Sequence, residues 1–177
     1  YKNDPEIRGI VFSGGPNSVY EAGALLVDPE IYELGIPVLG ICYGMQLMAH
    51  QLGGEVKSGK IREYGNSDIE IKHFNPMCDG LPSTQAVWMS HGDEVHRVPG
   101  GFTQDAFSES GVLASMSNVA KHLYGLQFHP EVKHSVYGQT WLKNFVFNVC
   151  KAQNNWKLED FIEQEVQAIR DVTHGQE

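Results

Sequence analysis

Pro37-Val38-Leu39-Gly40-Ile41-Cys42-Tyr43-Gly44-Met45-Gln46 is the stretch that decides how this chain folds. Val38 to Ile41 is a short, unbroken apolar run, as expected of a strand buried on both faces. It passes without a spacer into Met45, Leu47, Met48, Ala49 and Leu52, a mostly apolar helix closed by Gly53-Gly54. A thiol thus stands between a buried strand and a helix, with glycine two positions before it and two after. This is the nucleophile-elbow arrangement, with Cys where hydrolases carry Ser. The helix N-terminus that follows favours thiolate over thiol. A small buried residue at a strand end has the same pattern, and the motif by itself does not choose.

Outward from there the strand–helix alternation continues. Gly9-Ile10-Val11-Phe12 reads as a strand that stops at Gly14-Gly15-Pro16, and Asp28-Pro29-Glu30 as the start of a short helix ending at Gly35. Together these predict an α/β fold with a mostly parallel central sheet and helices on both faces. Further along, Ile69 to Ile71, Gln85 to Met89, Val112 to Met116 and Leu123 to Phe128 read as shorter strands of a small mixed or antiparallel sheet. Gln139 to Cys150 returns to helical spacing, with Trp141, Leu142, Phe145, Val146 and Val149 on one face. Trp156 to Val172 predicts a separate amphipathic helix, apolar at Leu158, Phe161, Ile162, Val166 and Ile169 and acidic between them. Thr173 to Glu177 resembles a linker.

The composition excludes several classes of function. Of 177 residues, 41% are hydrophobic and 20% charged, the balance of a globular protein. The net charge of −9, with no cluster of Lys or Arg, argues against a nucleic-acid surface. No apolar run approaches the roughly 18 residues of a membrane span. Three widely spaced cysteines do not make a disulfide framework, and a reducing cytoplasm is the expected compartment.

A thiolate nucleophile needs a base and a group to orient that base. Phe128-His129-Pro130-Glu131-Val132 supplies both at the end of an apolar strand, since residues two apart in extended chain point the same way. A loop histidine beside a surface carboxylate is the competing reading. Ser13-Gly14-Gly15-Pro16, also after a strand, offers unobstructed backbone N–H groups that suit an oxyanion, alongside the N–H of Tyr43. His91, His96, His129 and His134, with Cys42 and Glu131, match no compact zinc spacing, so no metal site is expected. Cys78 and Cys150 read as structural.

These motifs, in this order, resemble the class I (triad-type) glutamine amidotransferases along nearly the whole chain. The resemblance implies the flavodoxin-like fold of that family and a catalytic set of Cys42, His129 and Glu131. Cys42 would attack the side-chain amide of glutamine, His129 would move protons, Glu131 would orient His129, and a thioester would release glutamate after ammonia. It also implies an oxyanion hole at Gly15 and Tyr43. Substrate-binding positions are then Gln46 and the loop Ser90-His91-Gly92-Asp93, with Asp93 facing the α-ammonium.

Finer features are similar to the glutaminase part of the GMP synthases: Gly14 to Tyr20, Arg62-Glu63-Tyr64-Gly65, Ser90-His91-Gly92-Asp93, and His129 to His134, with Ser135 where Thr is expected. That branch implies a glutamine amidotransferase domain over residues 1–152, lacking the first strand and helix of the fold. Residues 153–177 would then be a helix and linker toward an ATP-pyrophosphatase (synthetase) domain or subunit. The synthetase would use ATP and Mg to aminate XMP to GMP, in a homodimeric full-length enzyme. No cofactor is expected in this chain, and by itself it would hydrolyse glutamine slowly. Arg62, Lys133 and His134 would face the synthetase or simply be solvated. The competing readings are the glutaminase of a carbamoyl phosphate, anthranilate or CTP synthase, and a non-catalytic regulatory module of the same fold.

Overall fold

The computed structural model describes residues 4, 6–154 and 158–173, apart from the side chains of residues 60, 61, 158–160, 163 and 164. Among them a seven-stranded sheet organises the chain: β1 (Ile10–Phe12), β2 (Val38–Ile41), β3 (Glu55–Ile71), β4 (Thr84–Arg97), β5 (Thr103–Ser108), β6 (Leu113–Asn118) and β7 (Leu123–Leu126). Its order is β1-β2-β7-β6-β5-β3-β4. The parallel part expected from the apolar runs is β1-β2-β7, with Phe12 beside Gly40 and Ile41 beside Leu126. The antiparallel strands are a continuation of this sheet and not a second small one, because β6 pairs antiparallel with β7 and joins the two parts.

Each face of the sheet carries its own core. Alternation along β2 sends Leu39 and Ile41 to one face, where they meet Tyr124, Leu126, Phe128, Trp141 and Phe145. Val38 points to the other, with Met45, Met48, Met116 and Leu123. Helix α1 (Tyr43–Gln51) contributes to this second core, and its first seven residues are all buried. That explains the mostly apolar sequence after Cys42. Helix α2 (Gly138–Lys143) packs on the opposite face and continues as a π-helical turn over Asn144–Val149. Trp141, Phe145 and Val149 are buried as expected, whereas the wide turn leaves Val146 39% exposed.

The middle strands are longer than their apolar patches suggest. β4 alternates in burial from Gln85 through Val87 and Met89 to His91, so two inward positions are polar, which hides the period. β3 carries polar residues and two glycines through most of its 17 residues. β5 has no counterpart in the sequence reading, because its inward side includes Asp105 and Ser108. β1 forms one edge of the sheet, with Val11 half-exposed. Helix α3 spans Leu158–Thr173, close to the amphipathic segment expected; Ile162, Val166, Ile169 and Val172 are exposed. Trp156 and the linker beyond residue 173 lie outside the described residues. No helix among the described residues is long and apolar enough to cross a membrane.

Candidate active site

Because β1, β2 and β7 are adjacent and parallel, the loops after them leave the sheet at one edge. Ser13–Pro16, Cys42 and His129 are therefore gathered there from three distant parts of the sequence. The sheet curls so that β4, last in the strand order, returns to the same edge: His129 N–H donates to the Trp88 carbonyl at 3.0 Å and Val136 N–H to Ala86 at 3.1 Å.

Cys42 sits at φ +52°, a left-handed conformation that non-glycine residues adopt at strain. Its neighbours make that cramped turn possible. A β-carbon at Gly40 would run into the Gly44 carbonyl, and one at Gly44 into the Phe12 carbonyl. Glycine at both flanks is thus a packing requirement.

His129 is largely buried, and its Nδ1 lies 2.7 Å from Glu131 Oε1. With the carboxylate at Nδ1, the proton belongs on that nitrogen and Nε2 is left as the acceptor. A β-carbon on Gly14 would lie 3.8 Å from both His129 Nε2 and Cys42 Cβ, so thiol-bearing and imidazole groups flank the same glycine. The thiol, however, donates to the Ser90 carbonyl at 3.6 Å. Burial is the main cause pushing its pKa up to about 11, with the Glu131 charge adding to it; the Tyr43 backbone N–H and the neighbouring Gln127 amide oppose this. At neutral pH the resting group is a thiol. Burial here outweighs the helix N-terminus expected to ionise it.

A pocket of about 610 Å³ opens over these groups, within the size range of small-molecule sites. Gly15, Cys42, Gln46, Ser90, His91, Gly92, Asp93 and His129 all line it, so nearly every residue singled out from the sequence converges there; Arg62 and Tyr64 line it too. Glu131 stands behind His129 and Tyr43 behind Cys42. Gln46 is 4% exposed, and its amide donates to the Asp93 carbonyl at 3.0 Å and to Gln127 Oε1 at 3.2 Å. Asp93 Oδ1 accepts from Tyr20 at 2.9 Å, which ties the loop after β1 to β4; Ser90 to Asp93, expected as a loop, are part of that strand.

Other supporting residues escaped the sequence reading. The β3–β4 register jumps between Ser58 and Glu63, so that Glu63 falls opposite His91 and Arg62 reaches the pocket. The Glu63 carboxylate lies 3.2 Å from His91 Nε2, accepts from Ser108 at 2.9 Å, and accepts from Ser110. His91 Nδ1 lies 3.1 Å from the Asp93 carbonyl, so the ring is held at both nitrogens. Ser135 accepts from Trp88 N–H at 3.0 Å and donates to the His129 carbonyl at 2.6 Å. Both hydroxyl bonds are within reach of the Thr expected there. Only the tertiary structure reveals these contacts.

This fold, with a cysteine elbow and a His–Glu pair on one pocket, defines a glutamine amidotransferase domain. The family described as class I glutamine amidotransferase matches residues 2–149, and the chain belongs to it. Among curated proteins, the chain is 54% identical over 168 residues to the glutamine-hydrolysing GMP synthase of Geobacillus kaustophilus, covering 95% of this chain and 33% of that protein. It is 55% identical over 167 residues to that of Ligilactobacillus salivarius, covering 93% and 32%. The chain thus spans about a third of the length of these relatives. Among solved structures, a GMP synthase subunit of Thermoplasma acidophilum superimposes with TM-score 0.73 at 31% identity, over 93% of this chain and 78% of that one. A glutamine amidotransferase of Thermotoga maritima gives TM-score 0.55 at 28% identity, over 82% and 63%.

Proposed function

We propose that this domain hydrolyses glutamine to glutamate and ammonia through a thioester on Cys42. The observation that carries this is the meeting of the Cys42 elbow with the Glu131-oriented His129 on one pocket. The thiol turns from the Ser90 carbonyl and gives its proton to His129 Nε2 while sulfur bonds to the side-chain amide carbon. The oxyanion formed is met by the N–H groups of Gly15 and Tyr43. Collapse breaks the C–N bond, and the His129 proton leaves with ammonia. Water then attacks the thioester carbon and gives one proton to His129; collapse breaks the C–S bond, the His129 proton passes to the Cys42 sulfur, and glutamate is released. Glu131 holds the imidazole in its working tautomer throughout.

The substrate's α-amino and carboxylate groups would lie against Ser90-His91-Gly92-Asp93, with Asp93 facing the ammonium. Gln46, whose two N–H donors are engaged, would meet the substrate through its oxygen. No cofactor takes part in these steps. Resemblance to full-length GMP synthases supports delivery of the ammonia to an ATP- and Mg-using synthetase domain that aminates XMP, in a homodimeric cytoplasmic enzyme. The resting thiol, turned to Ser90, supports slow hydrolysis in the domain by itself.

The test is mass spectrometry after incubation with a chloroketone analogue of glutamine. One adduct on Cys42, suppressed by excess glutamine, is expected. Failure to label Cys42 in both this chain and its full-length protein would remove the glutaminase reading.

A further inference from the structure

Gln127 is fully buried, and its side-chain Nε2 has no hydrogen-bond acceptor among the described residues. A buried amide donor without an acceptor is costly, so its place calls for a physical reason. Its surroundings supply one. In the β2–β7 register Gly40 pairs with Gly125 and Ile41 with Leu126, so the next step sets Cys42 beside Gln127. Cys42 N–H confirms that proximity by donating to the Leu126 carbonyl at 2.7 Å. One helical turn beyond Cys42, Gln46 donates to Gln127 Oε1. The Gln127 oxygen is therefore occupied from the helix side, which fixes which end of its amide is left over.

We propose that the Gln127 side-chain N–H is a donor held for the Cys42 sulfur, stabilising the negative charge there as the thiol proton passes to His129 Nε2. This rests on Cys42 being the nucleophile. No bond to Gln127 forms or breaks; its amide remains neutral while the S–H pair becomes the S–C bond. Gln46 acts as a positioning residue, since it orients the Gln127 amide from one turn above the nucleophile. The nearness of the Gln127 amide already opposes the rise in the Cys42 pKa. The other charged or titratable groups around the thiol are His129 and Glu131 from the loop after β7, His91 and Asp93 from β4, and Arg62 from β3. Only Glu131 among these contributes to the Cys42 shift, in the raising direction.

The experiment follows alkylation of Cys42 by iodoacetamide from pH 7 to 10 in the parent chain, Gln127→Met and Gln127→Glu. Iodoacetamide needs no glutamine site, so its rate follows thiolate fraction. Losing the donor should move the profile up by about one pH unit or more and slow alkylation about 10-fold at fixed pH. Gln127→Glu, which keeps shape and the bond from Gln46, should do so at least as strongly. Profiles superimposable on the parent in a folded variant would overturn the proposal. Should neither variant fold, the parent decides: the Gln127 side-chain amide proton signal must shift as Cys42 titrates, and not in Cys42→Ala. A Gln127 signal no more responsive than that of Gln85 would overturn it. Labelling of Cys42 by the chloroketone, with unchanged Gln127 profiles, would leave the glutaminase reading intact and remove only this one.

Discussion

The Cys42 thiol donates to the Ser90 carbonyl at 3.6 Å, so the proposed nucleophile and strand β4 hold each other at rest. If Ser90 to Asp93 hold glutamine as proposed, substrate would compete for that carbonyl and free the sulfur to turn toward His129. On that reading, binding and activation of the nucleophile would be coupled through this one hydrogen bond.

A thiol with its pKa near 11 is expected to be sluggish toward small electrophiles at neutral pH. Iodoacetamide should alkylate the chain at Cys42, in the absence of glutamine, with a rate rising about 10-fold per pH unit through pH 9 and beyond. A plateau near pH 7 would mean that the thiolate already dominates at rest.

Gly14 tests the spacing of nucleophile and base. A β-carbon there would come 2.9 Å from His129 Cε1, forcing the ring to move. Gly14→Ala should cut kcat for glutamine hydrolysis by about 100-fold, the cost typical of a displacement near one ångström, with little change in Tm. Activity within a factor of about two of the parent would show that the ring position is not critical.

Glu63 serves His91, Ser108 and Ser110 from one nearly buried carboxylate. Glu63→Ala leaves the buried His91 Nε2 without its acceptor and should lower stability by about 1–3 kcal/mol while raising KM for glutamine more than it lowers kcat. Glu63→Gln, which keeps an acceptor, should lose less of both. A variant with altered kcat and normal KM would separate this cluster from substrate binding.

Asp105 sets a pH dependence of stability. It is 1% exposed, and burial pushes its carboxyl up to about 6 from 3.8, against hydrogen bonds from Ser117 and Asn75. The folded state therefore holds this proton more tightly than the unfolded state. That contribution is fully present below about pH 3.8 and is lost as pH rises through about 6. Asp105→Asn, which keeps an acceptor for Asn75 and carries no charge, should be stabilised by about 2–3 kcal/mol at pH 8 and hardly at all at pH 4. Thermal melts of both proteins at the two pH values measure this; equal differences at both would assign the effect to packing.

Local constraints made much of this protein readable from its residues. The elbow needs glycine on either side of Cys42 because neighbouring carbonyls pass where β-carbons would stand, and that requirement is written into ten consecutive residues. His129 and Glu131 are two apart, so extended chain alone brings ring and carboxylate together. Buried strands β2 and β7 show as apolar runs because both faces are covered. The remainder depends on partners far along the chain. β3, β4 and β5 bury polar side chains such as Gln85, His91 and Asp105, which lose their cost only when an acceptor or donor arrives from another element: Trp141 of α2, Glu63 of β3 and Asn75 of the turn after β3. Likewise Glu63 behind His91, Ser135 under His129 and Gln127 beside Cys42 take their places from sheet register and curl. Pairing 28 positions apart, as for Glu63 and His91, leaves no local pattern in sequence, because hydrogen bonds recognise distance in space and are indifferent to separation along the chain.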